Sequence, residues 1–470
     1  MALLDGMGER IVAIRAEGLP ADAVYWAKVG ILDTVGVTLA GADEPCARIV
    51  GRLAAHSSGP ALLFGSAISM APLDAALVNG TAAHALDFDD CSNSMGGHPS
   101  APVLPALFAL ADTRGVSGRD FIAAYVAGFE TETRLARAVN FHHYEKGWHP
   151  TATLGTFGAA AASAHLLRLN AKQTTTALAL AASLASGLKA NFGTMTKPLH
   201  VGHSARNGLM AALLAADGFT ASADALEHKQ GFLMVFNGAG NFNADAILKD
   251  WAAPLDILKP GIAIKQYPCC GSTHPAIDAM LELVEIHKLT PAMVERVDAF
   301  THPRRLAHTN RPRPDSPLDA KFSVQYCLAR GLLDGEVVLE HFEGDSYKDP
   351  AVLAVLAKVH AAPHPDMKME NTDHFGGEVR IQTKDGRRLV AKVDRPLGRG
   401  PEKPLPEPRL NAKFLACAGR ALTKPAAAEA MAAIWRLDAI EDMKELRQIL
   451  ANGCRPAATM TGHPIASAAE

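Results

Sequence analysis

The sequence is poor in aromatic residues and has no excess of either charge. Aromatic residues make up 6% of its 470 residues, and 46 Lys and Arg residues against 49 Asp and Glu residues give a net charge of -3. No long basic run is present, so a nucleic-acid-binding surface is not expected. Hydrophobic residues account for 48% of the chain, and Ala supplies much of that share, which favours closely packed helices.

Cysteine is sparse and shows no C-x-x-C pair. The seven residues are scattered along the chain, as is typical of a reduced cytoplasmic protein: Cys46, Cys91, Cys269, Cys270, Cys327, Cys417 and Cys454. The first residues, MALLDGMGERIVAIRAEG, lack the apolar stretch of a signal peptide, and an apolar run such as 177–188 is too short to span a bilayer. We therefore expect a cytoplasmic protein without a membrane span.

The hydrophobic pattern predicts a mainly α protein with two domains. Apolar residues recur at helical spacing up to about residue 262, which indicates a large all-helical domain. Residues 263–395 mix helical patterns at 320–333 and 349–362 with strand patterns at 294–302 and 377–393, and predict a smaller α+β lid domain. A Pro-rich stretch at 395–409 is interpreted as a linker or surface crossing, and a helical pattern returns at 410–460. We expect residues 400–470 to complete the domain of residues 1–262.

The stretch HALDFDDCSNSMGGHPS, residues 84–100, places three acids before a glycine pair and a histidine. One interpretation is a helix end followed by a solvated loop, because Ser, Asn and Gly are ordinary turn formers. The other is a catalytic loop, because a carboxylate can orient an imidazole that moves protons near neutral pH. In the second case we expect Asp87 to orient His98, with Asp89 and Asp90 as helix-end groups.

Two further segments place histidines and lysines beside Pro and small residues. In EKGWHPTATLG, His149 precedes Pro150 and should lie at the positive N-terminal end of an Ala-rich helix, where an anion is favoured. In MTKPLHVGHSARNG, Pro198 should keep Lys197 outside the following helix, and His203 follows. This second segment is either a solvated basic face or the wall of a cationic pocket.

Three more segments belong to the same survey of polar residues. IKQYPCCGSTHPAID brings Lys265 and Cys270 to the predicted domain junction, where ligand clefts tend to form. RRLAHTNRPRPD, with His308, is interpreted as a surface loop, and the histidines of HHYEKGWH other than His149 as surface residues. Neither a familiar metal-ligand spacing nor a nucleotide-binding glycine motif is present, so the residues predict neither a metal site nor a nucleotide-binding site.

Together these segments resemble the MmgE/PrpD family, which includes 2-methylcitrate dehydratase, cis-aconitate decarboxylase and iminodisuccinate epimerase. The resemblance rests on YWAKVGILDTVGVTLAG, ALVNGTAAHALDFDD with HPSAPVLPAL, WHPTATLGTFGAAAA, TKPLHVGHSARNG and IKQYPCCGSTHPA. It implies a helical domain joined to an α+β lid, a homodimer, an active site between the domains, no cofactor and a di- or tricarboxylate substrate.

The resemblance implies that Asp87, His98, His149, Lys197 and Lys265 lie in the active site, because the aconitate decarboxylases have active-site residues at the matching positions. Our hypothesis gives catalytic roles to His98, Asp87, Lys197 and Lys265, and substrate-binding roles to His149, Cys91, Cys270, His308 and His203. The decarboxylases have threonine, histidine and tyrosine where this chain has Cys91, Cys270 and His308.

From these residues we expect a lyase that transfers a proton at the carbon α to a carboxylate of a citrate-like acid, as 2-methylcitrate dehydratase does. Epimerisation of a substituted succinate such as iminodisuccinate is the first alternative. The remaining alternatives are decarboxylation of cis-aconitate and, last, binding of a carboxylate without catalysis.

Overall fold

The first half of the chain is helical, as the hydrophobic pattern predicts. A computed structural model describes residues 2–370 and 375–455. Its helices up to residue 262 are α1 (Leu3–Ala13), α2 (Ala21–Gly41), α3 (Pro45–Leu53), α4 (Pro72–Ala85), α5 (Ser100–Ala111), α6 (Gly118–Val139), α7 (His142–Lys146), α8 (Pro150–Leu166), α9 (Ala171–Leu184), α10 (Thr196–Ala216), α11 (Phe232–Asn237) and α12 (Asp245–Leu248). A short hairpin, β1 (Ala61–Leu62) and β2 (Ser69–Met70), separates α3 from α4.

The following segment alternates helices with strands. It contains α13 (His274–His287), β3 (Val294–Thr301), α14 (Pro303–Thr309), α15 (Pro317–Lys321), α16 (Val324–Asp334), α17 (Pro350–Leu356), β4 (Val359–Pro363), β5 (Gly377–Thr383) and β6 (Arg388–Val393). The mainly α class with a smaller α+β region is confirmed. The single helix predicted over 349–362 is wrong in its second half, because residues 359–363 pair with β3 as a parallel strand.

The strands form one sheet in the order β4-β3-β5-β6. β3 pairs parallel with β4 and antiparallel with β5, and β5 and β6 form the predicted hairpin. Helix α13 packs against β5 and β6, and α16 packs against α13. One face of the sheet is therefore covered by helices, and its buried side chains, such as Val297, Val379 and Ala391, join their core.

Three helices end the described chain: α18 (Glu407–Ala418), α19 (Lys424–Trp435) and α20 (Lys444–Asn452). Their apolar side chains, such as Phe414 and Leu446, belong to the same core as Leu32 of α2 and Phe121 of α6. A separate core holds buried residues between 267 and 391. The domain boundaries at 262 and at 395–400 stay a prediction.

Helix α2 is long and apolar enough to span a membrane by length and composition, unlike the shorter runs considered in the sequence. In the described structure, 78% of its apolar window is buried inside the protein. It packs against α4 and α18. The apolar character of α2 is thus explained by its central position among other helices.

Helix α8 explains the high alanine content. It contacts α5, α6, α9 and α10, and almost every residue from Pro150 to Leu166 is buried. A helix with neighbouring helices on all sides needs small side chains, because Ala and Gly allow the helix backbones to approach closely. The positions of α4, α8 and α10 in turn determine where the polar residues near their ends meet.

Candidate active site

The loop after α4 makes a sharp turn at Asp87. Its backbone φ of 53° lies in the left-handed region, which Asp tolerates better than most side chains. The loop then pairs with the segment that carries Lys265, because Cys91 N–H donates to Ala263 O at 2.7 Å and Ala263 N–H donates to Cys91 O at 2.8 Å. The acids of residues 87–90 are therefore held next to residues 263–265.

Three lysines donate hydrogen bonds to the backbone of this turn, and we name them the lysine clamp. Each donates a hydrogen bond to one of three successive carbonyls: Lys321 to Leu86 O at 2.6 Å, Lys265 to Asp87 O at 2.6 Å and Lys413 to Phe88 O at 2.8 Å. The lysines come from α15, from the segment before α13 and from α18. Ammonium groups bonded to carbonyls fix the backbone more strongly than neutral donors would.

The Asp87 carboxylate forms a buried ion-pair cluster with two of the predicted lysines. Its Oδ1 lies 2.6 Å from Lys197 Nζ and its Oδ2 lies 3.1 Å from Lys265 Nζ, with no side chain more than 7% exposed. Burial would raise the pKa of Asp87, but the two ammonium groups outweigh burial and hold that pKa well below its ordinary value. The ionised Asp87 carboxylate therefore holds the ammonium groups of Lys197 and Lys265 close together.

Lys197 reaches Asp87 from the first turn of α10, and the prediction that Pro198 excludes Lys197 from the helix is wrong. Proline is accepted in a first turn because its missing N–H has no helical partner there. Helices α4 and α10 approach closely at Gly202, where a Cβ would lie 2.2 Å from Leu77 O. This contact brings the end of α4 next to the start of α10.

The nearest carboxylate to the His98 imidazole is Asp89, which corrects the expectation that Asp87 orients this ring. His98 Nδ1 lies 3.2 Å from Asp89 Oδ2, whereas His98 Nε2 lies 3.8 Å from Asp87 Oδ1. Asp87 is engaged by two lysines, so Asp89 is the carboxylate left for the ring. The His98 backbone N–H donates to Thr151 Oγ1 of α8 at 3.1 Å and fixes the loop.

The position of Asp89 decides the charge of His98. Burial alone would lower the pKa of His98, but the Asp89 carboxylate outweighs burial and raises that pKa to about 10. The ring is therefore an imidazolium near neutral pH, with Nδ1 directed to Asp89 and Nε2 on the side of the Asp87 cluster. In this state His98 can donate a proton from Nε2.

His84, which the sequence reasoning missed, shares Asp89 with His98. Its Nδ1 lies 2.8 Å from Asp89 Oδ2, and burial lowers its pKa to about 4 although Asp89 opposes that shift. His84 is thus a neutral donor to Asp89. His84 is the first residue of the stretch at 84–100, but a histidine within a helical pattern gave no sign that it would contact Asp89.

His149 is the N-cap residue of α8, and its ring lies between those of His84 and His200. The His84 and His149 ring centroids are 5.6 Å apart, and His149 Nδ1 lies 3.3 Å from His200 Nδ1. Burial is the main cause that holds the pKa of His149 well below its ordinary value, and the ring is neutral. A neutral imidazole at this position can donate a hydrogen bond to an anion.

A cavity of about 540 Å³ contains most of the predicted site residues. Eight of the nine line it: Asp87, Cys91, His98, His149, Lys197, Lys265, Cys270 and His308. The ninth, His203, is exposed on α10 and lies 3.5 Å from Ser186 Oγ, outside the lining. The expectation that His203 binds substrate is therefore corrected: α10 directs Lys197 inward and His203 outward.

The three residues that differ from those implied for the decarboxylases all face this cavity. His308 Nε2 lies 3.2 Å from Ser272 Oγ, beside Cys270. Burial would raise the pKa of Cys270, but its hydrogen bond with His308 outweighs burial and lowers that pKa to about 7. Cys91 Sγ lies 3.9 Å from His98 Nδ1. The cavity therefore holds two thiols whose state depends on neighbouring histidines.

Several cavity residues come from segments interpreted as surface loops or linkers. The predicted surface loop after residue 303 is the short helix α14, from which Arg304, Arg305 and His308 line the cavity. The predicted linker at 395–409 carries Arg399 into it. His143 is also fully buried, between Asn237 and Thr153, so the expectation of a surface histidine is wrong there.

One group of possible metal ligands exists among the described residues: His84, Asp89 and His98, whose ligand atoms lie within 4.8 Å of one another. Both imidazoles bring Nδ1 to hydrogen-bond distance from Asp89 Oδ2, at 2.8 Å for His84 and 3.2 Å for His98. We therefore interpret the group as a carboxylate that holds two imidazoles, which suits proton transfer.

Profiles of a known family match both parts of the chain. The MmgE/PrpD N-terminal domain matches residues 6–245, and the MmgE/PrpD C-terminal domain matches residues 267–438. The chain therefore belongs to the MmgE/PrpD family.

Its curated relatives include three cis-aconitate decarboxylases. The protein of Mus musculus is 32% identical over 396 residues, which cover 81% of this chain and 78% of that protein. The protein of Homo sapiens is 30% identical over 96% of this chain and 94% of its own length. The protein of Aspergillus terreus is 28% identical, with 93% of each chain covered.

Proposed function

We propose that the protein is a lyase that acts on a citrate-like polycarboxylate by proton transfer at a carbon next to a carboxylate, with decarboxylation of cis-aconitate as the favoured reaction. One observation carries the proposal: the His98 imidazolium is held by Asp89 on one side and has the Asp87 cluster on the other, in one cavity. The similarity to cis-aconitate decarboxylases supports the same reaction.

The charge of the cavity suits a substrate with several carboxylates. Asp87 is the acidic residue in its lining, and it stands against seven lysines and arginines: Lys189, Lys197, Lys265, Arg304, Arg305, Arg311 and Arg399. Bringing so many cations to one partly buried surface is costly without anions, and a polycarboxylate supplies them.

The mechanism follows from the resting charge of His98. The bond between the carbon next to the substrate C=C bond and the carboxylate of that carbon breaks, and CO2 leaves. The electron pair of that bond forms the new C=C bond, and the electrons of the old C=C bond move to its far carbon, which bears a carboxylate. The imidazolium donates its Nε2 proton to this far carbon. Lys197 and Lys265 stabilise the negative charge that develops, and Asp89 keeps His98 oriented while it becomes neutral. A proton from solvent then restores the imidazolium.

Dehydration of 2-methylcitrate is the second candidate. Cys91, Cys270 and His308 line the cavity at positions where the family resemblance implies threonine, histidine and tyrosine in the decarboxylases. In that reaction a neutral His98 removes the α proton and the substrate loses a β-hydroxyl. Reprotonation from the opposite face by a cavity thiol would instead give an epimerase.

The test is proton NMR in D2O with cis-aconitate, 2-methylcitrate and iminodisuccinate offered separately. Decarboxylation predicts a new alkene with one deuterium and loss of CO2 from cis-aconitate. An alkene from 2-methylcitrate alone would replace decarboxylation by dehydration, and deuterated iminodisuccinate with scrambled stereochemistry would establish epimerisation.

The His98→Asn variant tests the assigned proton donor, and His203→Asn on the exposed side of α10 is its matched control. We expect His98→Asn to lose at least 1000-fold in kcat with an unchanged melting temperature, and His203→Asn to keep its activity. Equal activities of the two variants would remove His98 from the mechanism. Inactivity of the wild type with all three acids would favour non-catalytic carboxylate binding.

A further inference from the structure

The imidazole of His149 is in contact with a second histidine that lies outside the cavity lining. His149 lines the cavity and is 2% exposed, whereas His200, in α10, is half-buried and does not belong to the lining. His200 Nδ1 lies 3.3 Å from His149 Nδ1, and the two ring centroids are 5.5 Å apart. One ring nitrogen of His149 is therefore occupied by His200, and Nε2 is left for another partner.

The backbone around this pair allows the two rings to approach closely. His149 N–H donates to Gly187 O at 3.0 Å, and Gly187 has a φ of 127°, which favours glycine. A Cβ on Gly187 would lie 3.4 Å from both Cγ and Nδ1 of His200. At the start of α8, Ala152 N–H and Thr153 N–H both donate to His149 O. The backbone of His149 is thus fixed on both sides, and the His200 ring packs against the same loop.

The Nε2 atom of His149 is a polar atom without a partner in a buried ring. Within residues 2–370 and 375–455, no group forms a hydrogen bond with it. Burial, His84 and Lys197 all lower the pKa of His149, so the ring is neutral and carries one N–H proton. The ring also lies at the N-terminal end of α8, where an anion is favoured. A proton on Nε2 would therefore make His149 a donor for an anion in the cavity.

The contact between the two Nδ1 atoms determines which nitrogen of His149 carries that proton. Burial, His203 and Lys197 lower the pKa of His200, so this ring is neutral as well, and only one proton lies between the two Nδ1 atoms. If His200 donates it, His149 Nδ1 is the acceptor and Nε2 keeps its N–H. If His149 donates it, Nε2 is bare, and a carboxylate would meet its lone pair, which is unfavourable.

We propose that His200 is a positioning residue that donates from its Nδ1 to Nδ1 of His149 and so holds His149 as the tautomer with a proton on Nε2. His149 then presents a neutral N–H donor to a carboxylate in the cavity. This inference rests on the proposed function, because it assigns that donor to a carboxylate of the substrate. His200 acts on the substrate only through His149, so its effect is on binding and not on the proton transfer by His98.

The first test determines the tautomer directly. The protein is labelled with 15N in its histidine rings, and spectra are recorded with and without tricarballylate, which has three carboxylates but neither a C=C bond nor a hydroxyl group. The His149 signals are those lost in the His149→Asn variant. In both states we expect a protonated Nε2 and a bare Nδ1, which have well-separated nitrogen shifts. A bare Nε2 with a proton on Nδ1 would overturn the proposal, and so would a doubly protonated ring.

The second test measures binding of tricarballylate by isothermal titration calorimetry. We expect His200→Ala to bind this acid about tenfold more weakly than the wild type, because a hydrogen bond to a carboxylate is lost or misdirected. His200→Asn places a side-chain N–H near the position of Nδ1, and its affinity should stay within about threefold of the wild type. The matched control is His203→Ala, which removes an exposed histidine from the same helix and should bind as the wild type does.

The outcomes separate the role of His200 from stability and from the reaction. Equal affinities of His200→Ala and the wild type would overturn the proposal, as would equal losses in His200→Ala and His200→Asn. If His200→Ala does not fold by circular dichroism, the wild-type tautomer and the affinity of His200→Asn decide. The expected tautomer in a protein that turns over none of the three acids would keep the role of His200 and reject the proposed reaction.

Discussion

Replacing Asp89 by Asn should change the charge of His98 without moving the ring far from its place. Asp89 is fully buried, and its Oδ2 reaches the Nδ1 atoms of both His84 and His98. An amide oxygen can still accept a hydrogen bond, but it carries no charge. We therefore expect the His98 pKa, now about 10, to fall to near or below its ordinary value of 6.5, because burial and the Lys265 charge lower it and only Cys91 still opposes them.

The size of the expected effect on stability follows from the pKa of His98. A rise from 6.5 to about 10 corresponds to about 5 kcal/mol in favour of the imidazolium, at about 1.4 kcal/mol per pKa unit. Because the folded-state pKa of His98 is the higher one, this stabilisation is complete below about pH 6.5 and is lost as pH rises to about 10. Asp89 itself does not titrate in that window, since its pKa is held well below the ordinary range: burial raises it, but His84 and His98 outweigh burial.

Two assays check this reasoning. In the pH profile of kcat/KM, the basic limb should move from near pH 10 in the wild type to below about pH 7 in Asp89→Asn. In urea unfolding, the variant should lose less stability than the wild type between pH 6.5 and pH 10.

Asp90→Asn is the control for both assays. The Asp90 carboxyl lies in the same loop but accepts hydrogen bonds from Ser100 rather than from His98, and burial raises its pKa well above the ordinary value. A basic limb that stays near pH 10 in Asp89→Asn would refute the assignment of His98 as an imidazolium held by this carboxylate.

Further predictions concern a cavity thiol and a helix contact. Cys270 has a pKa of about 7, although burial alone would raise it, so its alkylation by iodoacetamide should be half-maximal near pH 7 and slowed by tricarballylate. Cys270→Ser should abolish this alkylation. If mass spectra of the variant still show it, the reactive thiol is not Cys270. Gly202→Ala should destabilise the protein by about 2 kcal/mol in urea unfolding and reduce activity, because the new methyl group forces α4 from α10. Gly51→Ala, whose Cβ would lie 3.8 Å from Val78, should change stability by at most about 1 kcal/mol.

The fold class was predictable because hydrophobic spacing is a local property. Alternation at 294–302 and 377–393 gave the strands β3, β5 and β6, and helical spacing gave most of the helices. The prediction was wrong at 359–363, where residues with a helical pattern form β4 because they pair with β3, some 60 residues earlier in the chain. No local pattern contains that partner.

The site was predictable where one short segment supplied the chemistry. Asp87 and His98 belong to one loop, and the residue types of the other segments were implied by the family resemblance. The choice between Asp87 and Asp89 as the partner of His98 was not predictable, because it depends on Lys197 and Lys265 engaging Asp87 from elsewhere in the chain. Arg399 was missed for a similar reason, because a Pro- and Gly-rich stretch has the composition of a linker whether it crosses the surface or enters a cavity.

The lysine clamp can form only after later parts of the chain have been synthesised. Its three hydrogen bonds join residues that are 235, 178 and 325 positions apart in sequence. A growing chain that has released residues 1–262 already contains Asp87, His98, His149 and Lys197, yet it holds none of the three lysines that fix the carbonyls of 86–88. A newly made chain therefore completes the lysine clamp only after α18 has docked, so the backbone of the loop with Asp87 and His98 is fixed by a residue synthesised more than 300 positions later.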